Sequence, residues 1–172
     1  KVSTDLMTSQ GGDVTCDAID GENASGMSGG AMHSKLENIV IKDDGKIFYI
    51  LDQNGDLGKF NAATAFDLDG LTYERELDFL PDIDSVAFNK EGTKLYTLSS
   101  TSDTPTLTTF ELPGANDISS TTQIHQVDLS TLGIDVDSQS TADTAEDIEF
   151  SDDGFSMFVL IFNDDARAHS YI

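Results

Sequence analysis

Asp52, Asn54 and Asp56 alternate in the stretch DQNGDLG, which runs from Asp52 to Gly58. Three oxygen-bearing side chains at that spacing suit a hard cation such as Ca2+, which is held by carboxylate and amide oxygens. The same stretch also reads as a type I′ hairpin turn at Asn54-Gly55, joining the strands FYIL and LGKF. Ala63 occupies the twelfth loop position, where an EF-hand carries its glutamate, so that loop type is excluded. Further acid pairs lie in DLDG (Asp67 to Gly70) and in PDID (Pro81 to Asp84), and NDDA (Asn163 to Ala166) reads as the third unit's version of the hairpin loop. Paired carboxylates can hydrolyse glycosides, but a chain with 32 acidic residues places some pairs at a working distance by chance.

Other reactive types are sparse. His33, His125 and His169 sit in three unrelated contexts, without the spacing of zinc ligands. Cys16 is the single cysteine, so no intrachain disulfide forms, and no nucleophile signature surrounds it. No G-x-S-x-G elbow occurs. The glycine-rich run GENASGMSGGAMHS (Gly21 to Ser34) lacks the Lys-Ser/Thr pair of a phosphate loop. No catalytic or cofactor-binding residue is assigned on this basis.

The formal charge of -23 argues against recognition of nucleic-acid phosphates, which takes clustered Lys and Arg, and against anionic membranes. It suits cation binding, solubility, or a salty medium that screens self-repulsion. The longest uninterrupted apolar run, Met157 to Phe162, is far too short for a bilayer span of about 20 residues. The first residue is Lys and no charged-then-apolar leader follows, so the sequence reads as processed, excised, or part of something longer.

The elements that would position these residues repeat. ENIVIKDDGKIFYIL from Glu37, DSVAFNKEGTKLYTL from Asp84 and EDIEFSDDGFSMFVL from Glu146 align without gaps. Each opens with an acid and a small polar or acidic residue. Apolar residues follow two apart: Ile39 and Ile41, Val86 and Phe88, Ile148 and Phe150. That is the period of a strand. Four residues on come Gly45, Gly92 and Gly154, and four further Tyr49, Tyr96 and Phe158. Glycine accepts the positive φ of a tight turn, and the preceding Asp or Glu favours one. The second strand is apolar on consecutive residues, which predicts cover on both faces. Phe48, Tyr49, Tyr96, Phe110 and Phe158 fall in the repeat pattern and are expected in the core. Phe155 replaces the Lys46 and Thr93 of the other copies and is expected to be exposed.

Downstream, Phe60 and Phe110 are followed at equal spacings by Asp67-Leu68 and Asp117-Ile118, then by Leu77-Asp78-Phe79 and Val127-Asp128-Leu129. Each unit thus has a third strand, a loop, and a fourth strand. His125 falls in the fourth strand of the second unit, on its polar phase. The expected organisation is an N-terminal strand and Gly/Ser-rich connection over 1–35, then a repeat domain over 36–172. Its units cover about 36–82, 83–144 and 145–172, the last incomplete, with a Ser/Thr/Asp-rich surface loop from Ser130 to Thr144. The fold class is all-β, with antiparallel four-stranded repeats of blade type.

AFNKEGTKLYTLS, EFSDDGFSMFVLI, AFDLDG and NDISSTTQ resemble the repeats of β-propellers. They are similar to YVTN-type and lactonase-like repeats, and more closely to the W-D-I-S-T-A repeats of surface and virion-associated propellers. The resemblance spans about 36–172, and no copy carries the tryptophan. It implies a propeller that is partial in this chain, completed by other copies or by further blades; the competing architecture is an ordinary β-sandwich or small barrel with propeller-like hairpins. It also implies an extracellular or virion-surface setting. The function expected is a non-catalytic structural or adhesion module. The alternatives are part of a metal-dependent propeller hydrolase or a carbohydrate-binding module that contacts surface glycans. No residue of a lactonase-like metal centre maps onto this sequence.

Overall fold

The computed structural model describes residues 36–78, 83–99, 105–132, 144–151, 153–162 and 169–171. The expected N-terminal strand, Cys16 and His33 lie outside the described residues. Eleven strands are described, in three antiparallel sheets. The first sheet is a meander of β1 (Leu36–Lys42), β2 (Ile47–Asp52), β3 (Asp56–Ala62) and β4 (Leu71–Asp78). The second repeats it with β5 (Ser85–Phe88), β6 (Lys94–Ser99), β7 (Thr106–Glu111) and β8 (Thr122–Asp128). The third orders β9 (Thr144–Phe150), β10 (Met157–Phe162) and β11 (His169–Tyr171) in the same way. The described helical segments are two short 3-10 turns, Asp43–Gly45 and Leu129–Leu132.

The repeat is kept to the level of single hydrogen bonds. Gly45, Gly92 and Gly154 all take positive φ, at 91°, 69° and 71°. Phe66 and Asn116 take the same left-handed conformation at the same repeat position, with φ of 61° and 60°. The Phe66 N–H donates to Gly45 O and the Asn116 N–H to Gly92 O, each at 2.8 Å. A register shift sits at Lys59/Phe60 in one sheet and at Thr109/Phe110 in the next. Gly45 and Gly92 therefore mark one bend in two copies of one unit.

The sheets pack face to face. Tyr49, Leu51 and Leu57 of the first sheet meet Val86, Phe88, Leu95, Leu112 and Ile118 of the second in one buried cluster. Leu98 and Leu107 of the second sheet meet Ile148 and Val159 of the third in another, with Leu129 and Ala145. Tyr49 stacks on Phe88 with ring centroids 4.3 Å apart, and Tyr96 meets Phe150 at 4.4 Å. The strands β1, β5 and β9 stand side by side, each at the edge of its own sheet. That is the order of blades around a propeller axis. The three sheets do not close a ring among the described residues.

Two expectations change. Met157 to Phe162 form a strand, but it is not covered on both faces: Phe158 is 41% exposed and Leu160 46%. Cover on the second face comes from a neighbouring sheet, which the third sheet has on one side only among the described residues. The loop at Asn54-Gly55 is not a type I′ turn. Gly55 has a φ of 81° while Asn54 stays at negative φ, and the Gly55 N–H donates to Asp52 O at 3.0 Å. A type I turn closed by one left-handed glycine gives a three-residue hairpin loop. Phe155 is 91% exposed, as expected from its place after the turn.

Candidate functional site

Each inner strand carries the small polar or acidic residue that opens the repeat: Asn38, Ser85 and Asp147. Ser85 and Asp147 stand 47 and 109 positions from Asn38 in sequence, yet the three meet. The Asn38 amide donates to Ser85 Oγ and to Asp147 Oδ1, both at 3.1 Å. The Ser85 hydroxyl donates to Asp147 Oδ1 at 2.5 Å, and the Ile148 N–H donates to the same oxygen at 2.9 Å. Ser85 is buried. Asn38 Oδ1 is buried and has no protein partner.

The cluster exists because the repeat puts the same register position of successive sheets on one axis. The sequence already showed a small polar or acidic residue at that position in every unit. It did not show that the three converge, because each alone reads as a solvated strand start.

A groove of about 640 Å³ runs along the inner strands, with Asn38 and Asp147 at one end and Lys42, Lys90 and Ser151 at the other. Lys42 Nζ donates to Asn89 O at 3.0 Å and to Lys90 O at 3.4 Å. Burial holds the Lys42 ammonium below the ordinary lysine pKa, and the nearby Glu91 opposes that shift. In the other units the residue at this position closes its own turn instead. Asn89 Oδ1 accepts from Lys94 N and Ser151 Oγ from Ser156 N. Lys42 carries no such acceptor, and its side chain crosses to the neighbouring sheet. The first turn differs accordingly: the Lys46 N–H donates to Lys42 O at 3.3 Å, and Asp44 joins Gly45 at positive φ. Polar residues at both ends of an open groove suit a small polar ligand. Asn38, whose Oδ1 is a buried acceptor without a protein partner, stands at one end of the groove.

The sequence-predicted cation residues lie elsewhere, at the β2–β3 hairpin. Asp52 is 1% exposed, and its Oδ1 accepts from Asn54 N at 2.8 Å and from Asp56 N at 3.1 Å. One oxygen of the foremost candidate ligand thus caps its own loop. Among the described residues no group of three or more His, Cys, Asp and Glu is arranged to hold a metal ion. His125 is exposed on β8, and Asp67 and Asp69 do not join the groove.

A second polar network ties the first two sheets on their outer side. Lys59 Nζ lies 3.0 Å from Glu74 Oε2, Asn61 donates to the same oxygen at 2.8 Å, and Arg75 reaches Asp117 Oδ1 at 3.4 Å. Burial alone would push the Glu74 carboxyl up. Hydrogen bonds from Asn61 and Lys59, with the charges of Lys59 and Arg75, outweigh it and hold the pKa below the ordinary glutamate value. Tyr49 donates its hydroxyl to Asn116 O at 2.8 Å, and burial pushes its pKa well up, aided by Glu74 and Asp117.

The arrangement defines a β-propeller-like chain, and its likeness to solved structures agrees. It is similar to a protein from Lactobacillus plantarum, with a TM-score of 0.51 and 14% identity over 80% of this chain and 40% of that one. It is also similar to a candidate 6-phosphogluconolactonase from Bacteroides fragilis, with a TM-score of 0.49 and 14% identity over 80% of this chain and 38% of that one. This chain spans about two-fifths of the length of each. No family model matches the sequence, and no curated protein matches it. The likeness reaches the propeller fold and does not extend to either of the two repeat types.

Proposed function

We propose that the chain acts as a non-catalytic propeller module that works by assembling with other blades. Its setting would be an extracellular or virion surface. One observation carries the reading. The residues that build the sheet-to-sheet interfaces recur, exposed, on the two outer faces of the stack. Phe158 and Leu160 are open on the third sheet, and Ile39 (52%) and Ile41 (46%) on the first. Exposed apolar groups that match a buried interface mark a surface for association. The charge of -23 fits a soluble component of such an assembly. The setting rests on the resemblance of the repeat segments to surface and virion repeats. A panel of ester, lactone and glycoside substrates, with and without divalent cations, tests the reading. Turnover is expected to stay at the buffer rate. Turnover that Asp147→Asn abolishes would overturn it.

A second reading is favoured by Asn38 Oδ1, the acceptor without a protein partner beside Ser85 and Asp147. In it the inner groove belongs to a propeller hydrolase, and a cation completes the cluster. Tryptic protection of β1 by Ca2+, Mg2+ or Zn2+, lost in Asn38→Ala, would support it; equal cleavage with and without metal would end it.

A further inference from the structure

We propose that the partner at the two open faces is a second copy of this chain. The third sheet of each copy docks on the first sheet of the other, so that two copies close one ring. The inference rests on the assembly reading and names its partner.

The structure displays the required contact twice. Tyr49, four residues after Gly45, stacks on Phe88 of the next sheet; Tyr96, four after Gly92, meets Phe150 of the next. Phe158 holds the same place after Gly154 and is exposed. Ile41 holds the place of Phe88 and Phe150 at the end of its inner strand and is exposed as well. Leu51 and Leu98 are buried where Leu160 is open; Val86 and Ile148 are buried where Ile39 is open. The two outer faces are therefore the two halves of one interface, and each lacks what the other offers.

A contact between unlike faces builds an open filament unless the rotation closes, and a blade stack curves around its axis. Two three-sheet halves then share two identical junctions. Glu149 marks the junction's weak point, since it stands where Val40 and Ala87 pack into the interfaces. Self-repulsion of two acidic copies makes closure salt-dependent.

Sedimentation equilibrium on the 172-residue chain, from low to high micromolar concentration in 0.05 and 0.5 M NaCl, tests this. The expected mass is twice the 18.5 kDa of one chain, with tighter association at the higher salt. Phe158→Lys and Ile41→Glu each weaken association at least tenfold. The two combined in one chain restore it, because the introduced ammonium of one copy then faces the introduced carboxylate of the other. Glu149→Ala tightens it. Far-ultraviolet circular dichroism checks that each variant keeps its strands. A monomer at every concentration overturns the second copy as occupant and leaves the assembly reading standing, with further blades as the partner. A dimer indifferent to both substitutions, or an open series of larger species, overturns the closed ring. Turnover lost in Asp147→Asn would sink the assembly reading instead.

Discussion

Tyr49 lies on Phe88 at 4.3 Å between centroids and 30° between planes, and its hydroxyl reaches Asn116 O of the same neighbouring sheet. One side chain thus joins two blades by apolar area, by ring stacking and by a hydrogen bond. Tyr49→Ala should cost about 3–5 kcal/mol, the range for removing a buried aromatic ring. Tyr49→Phe removes only the hydrogen bond and should cost about 1 kcal/mol. Phe158→Ala, at the equivalent place on the open face, should change monomer stability by about 0.5 kcal/mol or less. Urea denaturation of the three variants checks the ranking.

The three turn glycines should separate into two classes. A Cβ at Gly45 would lie 2.6 Å from the Phe66 ring, and at Gly92 it would press on the Asn116 side chain and backbone. At Gly154 no atom lies within 4 Å. All three have positive φ, so alanine costs about 1 kcal/mol or somewhat more everywhere. Gly45→Ala and Gly92→Ala should lose more, through displacement of Phe66 and Asn116. Thermal midpoints fall in the order wild type, Gly154→Ala, then the other two. A lower midpoint for Gly154→Ala than for Gly92→Ala would contradict the packing argument.

That glycine pattern is also why the blade repeat is legible in the sequence. Positive φ is a local demand that one residue type meets, and its recurrence in phase with Ile39, Val86 and Ile148 needs no tertiary information. The candidate site is not legible there for the opposite reason. Asn38, Ser85 and Asp147 acquire meaning only once the sheets stack, and stacking is a relation between distant segments. The exposure of Phe158 escapes the sequence in the same way, because whether β10 is covered depends on the next sheet. The Asn54-Gly55 turn departs from its local signature: the Asp52 carboxylate, by accepting from Asn54 and Asp56, favours the longer loop over a two-residue turn.

Asp52→Ala removes the acceptor for both loop amides in a buried setting. Leaving such donors unpaired costs about 1–3 kcal/mol. Asp52→Asn retains a carbonyl oxygen at that place and should cost less than half as much. Because the loop is held by its own amides, excess calcium chelator should leave the thermal midpoint unchanged. A chelator-induced drop that Asp52→Asn abolishes would instead place a cation at Asp52, Asn54 and Asp56.

The Lys59–Glu74 and Arg75–Asp117 links should weaken in acid. The Glu74 pKa is held below its ordinary 4.5 as described above. The Asp117 pKa is held below 3.8, chiefly by the Ser119 N–H and then its hydroxyl, with Arg75 adding to it. A carboxyl whose folded pKa is depressed stabilises the fold fully above its unfolded pKa. It loses that contribution as pH falls through the folded value. The stability difference between wild type and Glu74→Gln should thus be constant from about pH 7 to about pH 5.5, and shrink toward zero below about pH 4. Urea midpoints at half-unit intervals read it. A difference that grows on acidification would reverse the sign and refute the pairing.

Asp147 is the acceptor on which the inner-strand cluster turns, since Asn38, Ser85 and Ile148 N all donate to its Oδ1. Asp147→Ala leaves Ser85 buried with its hydroxyl unsatisfied and should cost about 1–3 kcal/mol. Ser85→Ala alone removes a donor and should cost about 1 kcal/mol. Because the two groups serve one network, their effects should not add, and a double-mutant cycle should return a coupling of about 0.5 kcal/mol or more. Each inner strand belongs to a different sheet, so the coupling measures contact between blades and not strength within one. Strict additivity would mean that the second and third sheets do not meet at this end of the groove, and the side-by-side order of β5 and β9 would fall with it.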